Sequence, residues 1–262
     1  MADVADRYAL YQQAVQNPAA DIALIERVFK ERYGRNPRTL REDFCGTAWL
    51  CCAWADSTSA RRAIGVDIDP EPLAWGARHN LAPLPEETQA RVELVQSDVR
   101  HYDGPAVDVI VAGNFSFCAL GARDELLAYF RAAYTKLAPE GLFLLDVVGG
   151  PETQREQYES VRSELAFDYV WEQRSFDPIT YRADFAISFR FPDGTALEPA
   201  FEYEWRLWTL PELRDVLREA GFSEVDVYWE LTGADGRGSG KFRRVQRAPA
   251  SEGWLCEVVA FP

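Results

Sequence analysis

Four polar residues stand where apolar runs of strand length give out: Glu42 in "REDFCG", Asp67 in "GVDIDP", Asp98 in "VQSDV" and Asn114 in "AGNFSF". In an open α/β sheet ligands bind outside the carboxyl ends of the strands, so groups at these ends share one crevice. A carboxylate after the second strand can accept hydrogen bonds from both hydroxyls of a ribose, which suits Asp67. Asp98 can accept from an exocyclic amine while the Val99 N–H donates to a ring nitrogen, and Ile68 can offer an apolar face to an adenine. The first strand end lies in "RTLREDFCGTAWL", where Gly46 is the one glycine and Phe44 and Ala48 stand where two more would be expected. No phosphate-gripping glycine triplet is present, which disfavours a dinucleotide. Together these groups suit an adenosine-type cofactor.

The elements that must position these residues alternate. After helical stretches within residues 3–33, the strands "RRAIGVDI", "RVELVQSD", "AVDVIVAGN" and "GLFLLDVV" are separated by helices near Ala48–Ala55, Pro70–Leu81 and Arg123–Leu137. Apolar strands alternating with helices predict right-handed crossovers and a parallel sheet buried on both faces. The pattern breaks at Gly149-Gly150-Pro151. From there alternation is period-two: Tyr181, Ala183, Phe185, Ile187, Phe189 and Phe191 share one face, and Phe201, Tyr203, Trp205 and Leu207 continue it after the "PDG" turn. That is an antiparallel hairpin, with a third strand expected from "ELAFDYVWEQ". A helix capped by Thr209 and Glu212 follows, running to Gly221. The strands "EVDVYWEL" and "GWLCEVVAF" close the chain with a glycine-rich basic loop between them, which makes the last strand antiparallel in its sheet.

Composition narrows the function classes. A net charge of −14 over 262 residues opposes non-specific binding to nucleic acid or an anionic membrane. The polar N-terminus and the lack of long apolar runs predict neither a signal peptide nor a membrane span, and a cytoplasmic location is expected. Cys45, Cys51, Cys52, Cys118 and Cys256 lack metal or disulfide spacing, and two histidines make a zinc site improbable. Cys51 and Cys52 read as small buried residues. Arg237, Lys241, Arg243, Arg244 and Arg247 form a basic island that reads first as a solvated loop and second as an attractor of an anionic substrate, and "GSGKFRR" lacks phosphate-loop spacing.

The order of these motifs, the inserted hairpin and the terminal strand pair resemble a class I S-adenosylmethionine-dependent methyltransferase over nearly the whole chain. With "DVIVAGNFSFCAL" before the insertion and "WTLPELRDVLREAGFSEVDVYWE" after it, the chain looks most like small-molecule members such as glycine and sugar-amine N-methyltransferases. The resemblance implies a seven-stranded Rossmann-like α/β sheet with an antiparallel last strand, plus the inserted antiparallel β-hairpin as a substrate cap. It divides the chain into an N-terminal helical cap (1–36), a cofactor-binding core (37–150 and 209–262) and the β insertion (151–208). It aligns Glu42 to Ala48 with the family's acidic-x-Gly-x-Gly-x-Gly turn. The implied contacts to S-adenosylmethionine are Tyr11, Glu42, Phe44, Cys45, Gly46, Asp67, Ile68, Asp98, Val99 and Asn114. Glu42 is expected to reach the amino group, and Tyr8 joins Tyr11 either in closing over the cofactor or in packing the helix. Phe115, Ser116, Tyr181 and Trp205 are expected to form the substrate pocket. His101 and Tyr203 are candidates for a base, His79 is structural, and no metal is expected. A small-molecule methyl acceptor is the expected partner, an amine in first place, and a homodimer is admitted. Two rivals remain: a non-catalytic cofactor-binding or interaction protein, and a nicotinamide-dependent oxidoreductase, which would show a fuller glycine turn and no antiparallel last strand.

Overall fold

The computed structural model describes residues 1–156, 158–163, 165–233 and 238–262. Two helices lead, α1 (Arg7–Val15) and α2 (Pro18–Tyr33), before the alternating core. The core runs β1 (Thr39–Asp43), α3 (Trp49–Ser57), β2 (Arg62–Asp67), α4 (Pro70–Gly76), α5 (Glu86–Gln89), β3 (Val92–Gln96), β4 (Val107–Ala112), α6 (Arg123–Thr135) and β5 (Leu137–Gly149). The insertion contributes β6 (Tyr158–Arg162), β7 (Asp168–Asp177), β8 (Arg182–Arg190) and β9 (Ala196–Arg206). The chain ends with α7 (Leu210–Ala220), β10 (Glu224–Thr232), β11 (Gly238–Val245) and β12 (Trp254–Phe261).

The main sheet has the order β11-β10-β12-β5-β4-β1-β2-β3. Its five strands from β5 to β3 are parallel, whereas β12 runs antiparallel to both β5 and β10. The α/β class and the antiparallel last strand are therefore as expected, with one strand more. Residues 238–245, expected as loop, pair antiparallel with β10 as an eighth strand. The sequence hid it because its glycines, serine and basic residues give no apolar face. At a sheet edge that composition serves, since lysine and arginine discourage further pairing.

The β1 and β4 residues Leu40, Val109, Val111 and Ala112 are fully or almost fully buried, as strands covered on both faces require. One face packs α6 and α7 through Leu126, Tyr129, Phe130, Leu213 and Leu217; the other packs α2 and α3 through Ile25, Phe29, Leu50 and Trp54. At about 1.5–3 kcal/mol for each fully buried large side chain, these two layers dominate the favourable side of folding. Helix α7 starts with the capping box read from the sequence: the Glu212 N–H donates to Thr209 Oγ1, and the Thr209 N–H donates back to Glu212 Oε2.

The inserted strands form their own antiparallel sheet, β6-β7-β8-β9. Ala183 pairs with Trp205, Phe185 with Tyr203 and Ile187 with Phe201, which places the predicted aromatic set on one face. Part of that face, including Phe185 and Trp205, joins the core beside α6; the remainder, including Ile187 and Phe189, packs on Leu10, Tyr11 and Val15 of α1. Helix α1 thus lies between insertion and core. Among the described residues no helix is long and apolar enough to cross a membrane, and no group of histidine, cysteine and acidic residues could hold a metal.

Candidate active site

The turn after β1 keeps its shape without its glycines. Phe44, Gly46 and Ala48 are all left-handed, with φ of 56°, 53° and 53°. These are the three positions at which the family pattern places glycine, so two ordinary residues hold a conformation that costs each about 1–2 kcal/mol. Packing supplies the compensation. The Phe44 ring stands edge-on to Tyr129 at 5.3 Å, Ala48 is fully buried, and the Cys45 N–H donates to the Val66 carbonyl at 3.1 Å. Asp67 completes the turn by accepting the Gly46 N–H at 2.7 Å and the Asp69 N–H at 2.9 Å. A side chain added at Gly46 would meet nothing within 4 Å, so the backbone there faces open space.

That space is a cleft of about 570 Å³, within the range typical of small-molecule sites. Of the predicted cofactor contacts, Tyr11, Phe44, Cys45, Gly46, Asp67 and Asn114 line it, and so do Tyr8 and Ser116. Tyr8 and Tyr11 also pack on Phe201 of β9, at 5.9 and 5.3 Å, so closure and packing are combined in one helix. Asp69, Glu202 and Thr47 line the cleft as well and were not singled out in the sequence. Thr47 accepts from buried Gln12 of α1 through its hydroxyl at 2.7 Å and from Asn80 through its carbonyl at 2.8 Å. Such cross-chain contacts leave no spacing signal.

Other expected contacts lie elsewhere. Glu42 is buried beneath the turn, where its carboxylate accepts the Cys51 N–H at 3.1 Å. It caps the first turn of α3, whose own N-cap Ala48 has no side chain to do so, and it lies outside the lining of the cleft. Asp98 is clamped by Arg100, whose Nη2 donates to Oδ2 at 2.6 Å. It sits with buried Val99 at the end of β3, outside the lining of the cleft, while Ile68 presents a 65% exposed side chain beside Asp67. His101 is 78% exposed, 3.8 Å from Asp98, and lines neither the cleft nor the cavity beside it. His79 stacks on Trp75 at 4.2 Å, in keeping with a structural role.

A second cavity of about 310 Å³ adjoins the first, and Tyr11, Asn114, Tyr203 and Trp205 line both. Phe115 lines this inner cavity, joined by Tyr169, Trp171 and Phe185 of the insertion. Tyr181 does not: it occupies the β7–β8 turn with φ of 58° and packs edge-on against Phe176, so its expected place in the pocket is corrected. Burial pushes the Tyr203 phenol well above its ordinary range, which keeps it protonated and makes it a hydrogen-bond donor instead of a base.

Asn114 and Phe115 are both left-handed, and the Phe115 N–H donates to Asp146 of β5 at 2.9 Å. Asp146 lies directly across from Glu257 of β12, so two carboxylates share one buried face. Glu257 Oε2 is buried without a partner, and its carboxyl is held well above the usual range by burial and by Asp146. Burial likewise raises Asp146 to about 7 and Glu42 to about 8. Both ionise near pH 4 when unfolded, so their contribution is complete at low pH and is lost as pH rises towards 7–8, where the unfolded chain has released protons that the fold retains. Glu42→Gln keeps an acceptor for Cys51 and removes the titration. Its melting temperature is expected to gain several degrees on the parent between pH 5 and pH 8, and parallel curves across that range would refute the buried carboxyl.

The five cysteines are buried and unpaired, Cys51 and Cys52 among them. In the basic island Arg244 bonds Glu224 and Asp226, while Lys241, Arg243 and Arg247 are exposed at the sheet edge remote from the cleft. Arg237 lies outside the described residues.

Residues 43–145 match the family model described as a methyltransferase domain. No curated protein sequence matches the chain. Among solved structures, the CcbJ methyltransferase of Streptomyces caelestis is 19% identical with a TM-score of 0.69, over 98% of this chain and 96% of that one. The sugar N-methyltransferase KedS8 from Streptoalloteichus sp ATCC 53650 is 19% identical with a TM-score of 0.62, over 98% and 94%. S-adenosylmethionine-bound CalS10, an amino pentose methyltransferase from Micromonospora echinaspora, is 17% identical with a TM-score of 0.65, over 96% and 95%. At these identities the likeness is one of fold. The matched segment opens at the Gly46 turn and closes in β5, so the part of the chain similar to a methyltransferase domain is the part that builds the floor of the cleft, and the whole chain shares the fold of these structures.

Proposed function

We propose that the protein transfers the methyl group of S-adenosylmethionine to a small-molecule nucleophile, an amine in first place, by in-line displacement. One observation carries the reading: a polar cleft over the Gly46 turn meets an aromatic inner cavity at Tyr11, Asn114, Tyr203 and Trp205. The cleft fits the cofactor chemically. Asp67, Asp69 and Glu202 line it with one cation, Arg7, among the described residues, and an excess of carboxylates suits a ligand with a sulfonium and an ammonium better than one with a pyrophosphate. Asp67 is the proposed ribose partner, and the Gly46 backbone, with Phe44 and Cys45 beside it, borders the methionine end. When bound, S-adenosylmethionine supplies an electrophilic methyl on a leaving group that needs no protonation.

The chain's own task is alignment and exclusion of water. Asn114 and Tyr203 stand at the junction, where they can orient the acceptor, and the Trp205 and Phe115 rings meet edge-on beside it at 6.1 Å. Among the described residues, no carboxylate and no histidine lines the inner cavity. A nucleophile that must first surrender a tightly held proton is poorly served there. An amine is better served, because an apolar environment lowers its pKa and favours the neutral form. The similar fold of a sugar N-methyltransferase supports nitrogen as the acceptor atom.

Calorimetry with S-adenosylmethionine, followed by release of S-adenosylhomocysteine over a panel of amines, thiols and phenols, tests the reading. Absence of binding at millimolar cofactor would sink it. Gly46→Ala sharpens the test, because the added methyl enters the cleft at φ of 53°. The left-handed alanine costs about 1 kcal/mol of stability, while cofactor affinity is expected to fall at least tenfold. Equal affinity would remove Gly46 from the site.

A further inference from the structure

The inner cavity carries a charge pattern that narrows its occupant. Its walls are aromatic: Trp171 stacks on Phe185 at 4.9 Å and 27°, and Trp205 lies 5.3 Å from Phe185 and 4.7 Å from Tyr203. Such a wall suits a flat apolar body, while Asn114, Thr153, Ser160 and Gln173 add uncharged polar groups to the lining. Among the described residues one cation lines the cavity, Arg162 of β6. Its guanidinium lies 4.4 Å over the Tyr169 ring, and Nη2 donates to the Ala14 carbonyl at 2.8 Å.

Arg162 differs from the other arginines of the insertion. Arg155, Arg174, Arg182, Arg190 and Arg206 each hold at least one glutamate. Arg162 forms no ion pair among the described residues, in a chain with 42 acidic side chains against 28 basic ones. A guanidinium stacked on an aromatic ring at an apolar cavity, with donors to spare, is matched by a carboxylate. Its position sets where that carboxylate lies. Arg162 belongs to β6 and the junction residues Tyr203 and Trp205 to β9, the two outer strands of the inserted sheet. Three strand spacings, about 14 Å between backbones, separate them.

Resting on the methyl-transfer reading, we infer that the acceptor is an amine with a flat apolar body and a carboxylate at the far end, the amine at the Asn114–Tyr203 junction and the carboxylate on Arg162. Both ends are charged in water, but they are held apart. An α-amino acid, whose two groups are neighbours, does not span the cavity.

The test uses the full chain loaded with S-adenosylhomocysteine and two probes of one shape, 4-(aminomethyl)benzoate and its primary amide. Binding is followed by calorimetry and by the fluorescence of the cavity tryptophans. The carboxylate probe is expected to bind at least tenfold more tightly than the amide. Arg162→Gln should abolish that preference, and Arg162→Lys should restore part of it. Arg162 is exposed on an outer strand, so these variants are expected to keep the parental melting temperature. Equal binding of the two probes, no binding of either, or a preference that survives in Arg162→Gln would overturn the inference and leave methyl transfer standing. Failure of S-adenosylhomocysteine itself to bind would instead overturn the methyl-transfer reading.

Discussion

Asp67→Ala is expected to weaken S-adenosylmethionine binding by about 3 kcal/mol, more than a hundredfold, while the protein stays folded. The size follows from two tasks held by one side chain. Each carboxylate oxygen already accepts one backbone N–H, from Gly46 and from Asp69. A carboxylate has about four acceptor positions, so two remain for the ribose hydroxyls. Truncation removes those two charge-assisted bonds and also releases the Gly46 amide that shapes the methionine end of the cleft. Asp67→Asn, which retains one carbonyl oxygen, should fall between the two proteins. Calorimetric titration of the three side by side decides the matter, and an Asp67→Ala affinity within twofold of the parent would show that the cleft is read in the wrong register.

Asp43→Ala should be the most damaging single change to stability, at about 3–5 kcal/mol. Arg41 and Asp43 are both fully buried, and Arg41 Nη2 donates to Asp43 Oδ2 at 2.8 Å. The Tyr129 hydroxyl donates to the same oxygen at 3.0 Å. Arg41 Nε and Nη1 are buried without partners, so the guanidinium relies on this one carboxylate. Removing the carboxylate strands a cation in the core. A drop in melting temperature of about ten degrees or more is the expected reading. The double change Arg41→Met with Asp43→Leu should regain most of the loss, because it removes both charges at nearly constant volume. If Asp43→Ala melts within two degrees of the parent, the pair is not held as described.

The order of elements could be read from the chain because it depends on local pattern. Apolar runs such as "VDVIVA" can satisfy only a strand covered on both faces, and Thr209 with Glu212 spells a helix start. The face shared by Phe185, Ile187, Tyr203 and Trp205 follows from alternation alone. What escaped depends on partners distant in sequence. Glu42 occupies the family's acidic position, but which of its neighbours would take its carboxylate is settled by α3. Arg162 and Tyr169 meet across β6 and β7, and neither carries a motif. Asp146 and Glu257 stand 111 positions apart in the numbering, so their opposition emerges only when β12 enters beside β5. Residues 238–245 were missed for a different reason, since an outer strand can dispense with an apolar face.

The left-handed residues at 44, 46 and 48 have a thermodynamic consequence. In a turn made of glycines the bound shape is one of many, and a ligand must select it. Here Phe44 is fixed by Tyr129 and Ala48 by the core, so the loop is rigid before any ligand arrives. Binding should therefore involve little loss of backbone freedom, and its entropy should be less unfavourable than that of a variant carrying glycine at both positions. Side chains that looked like damage to a cofactor loop act as its preorganisation.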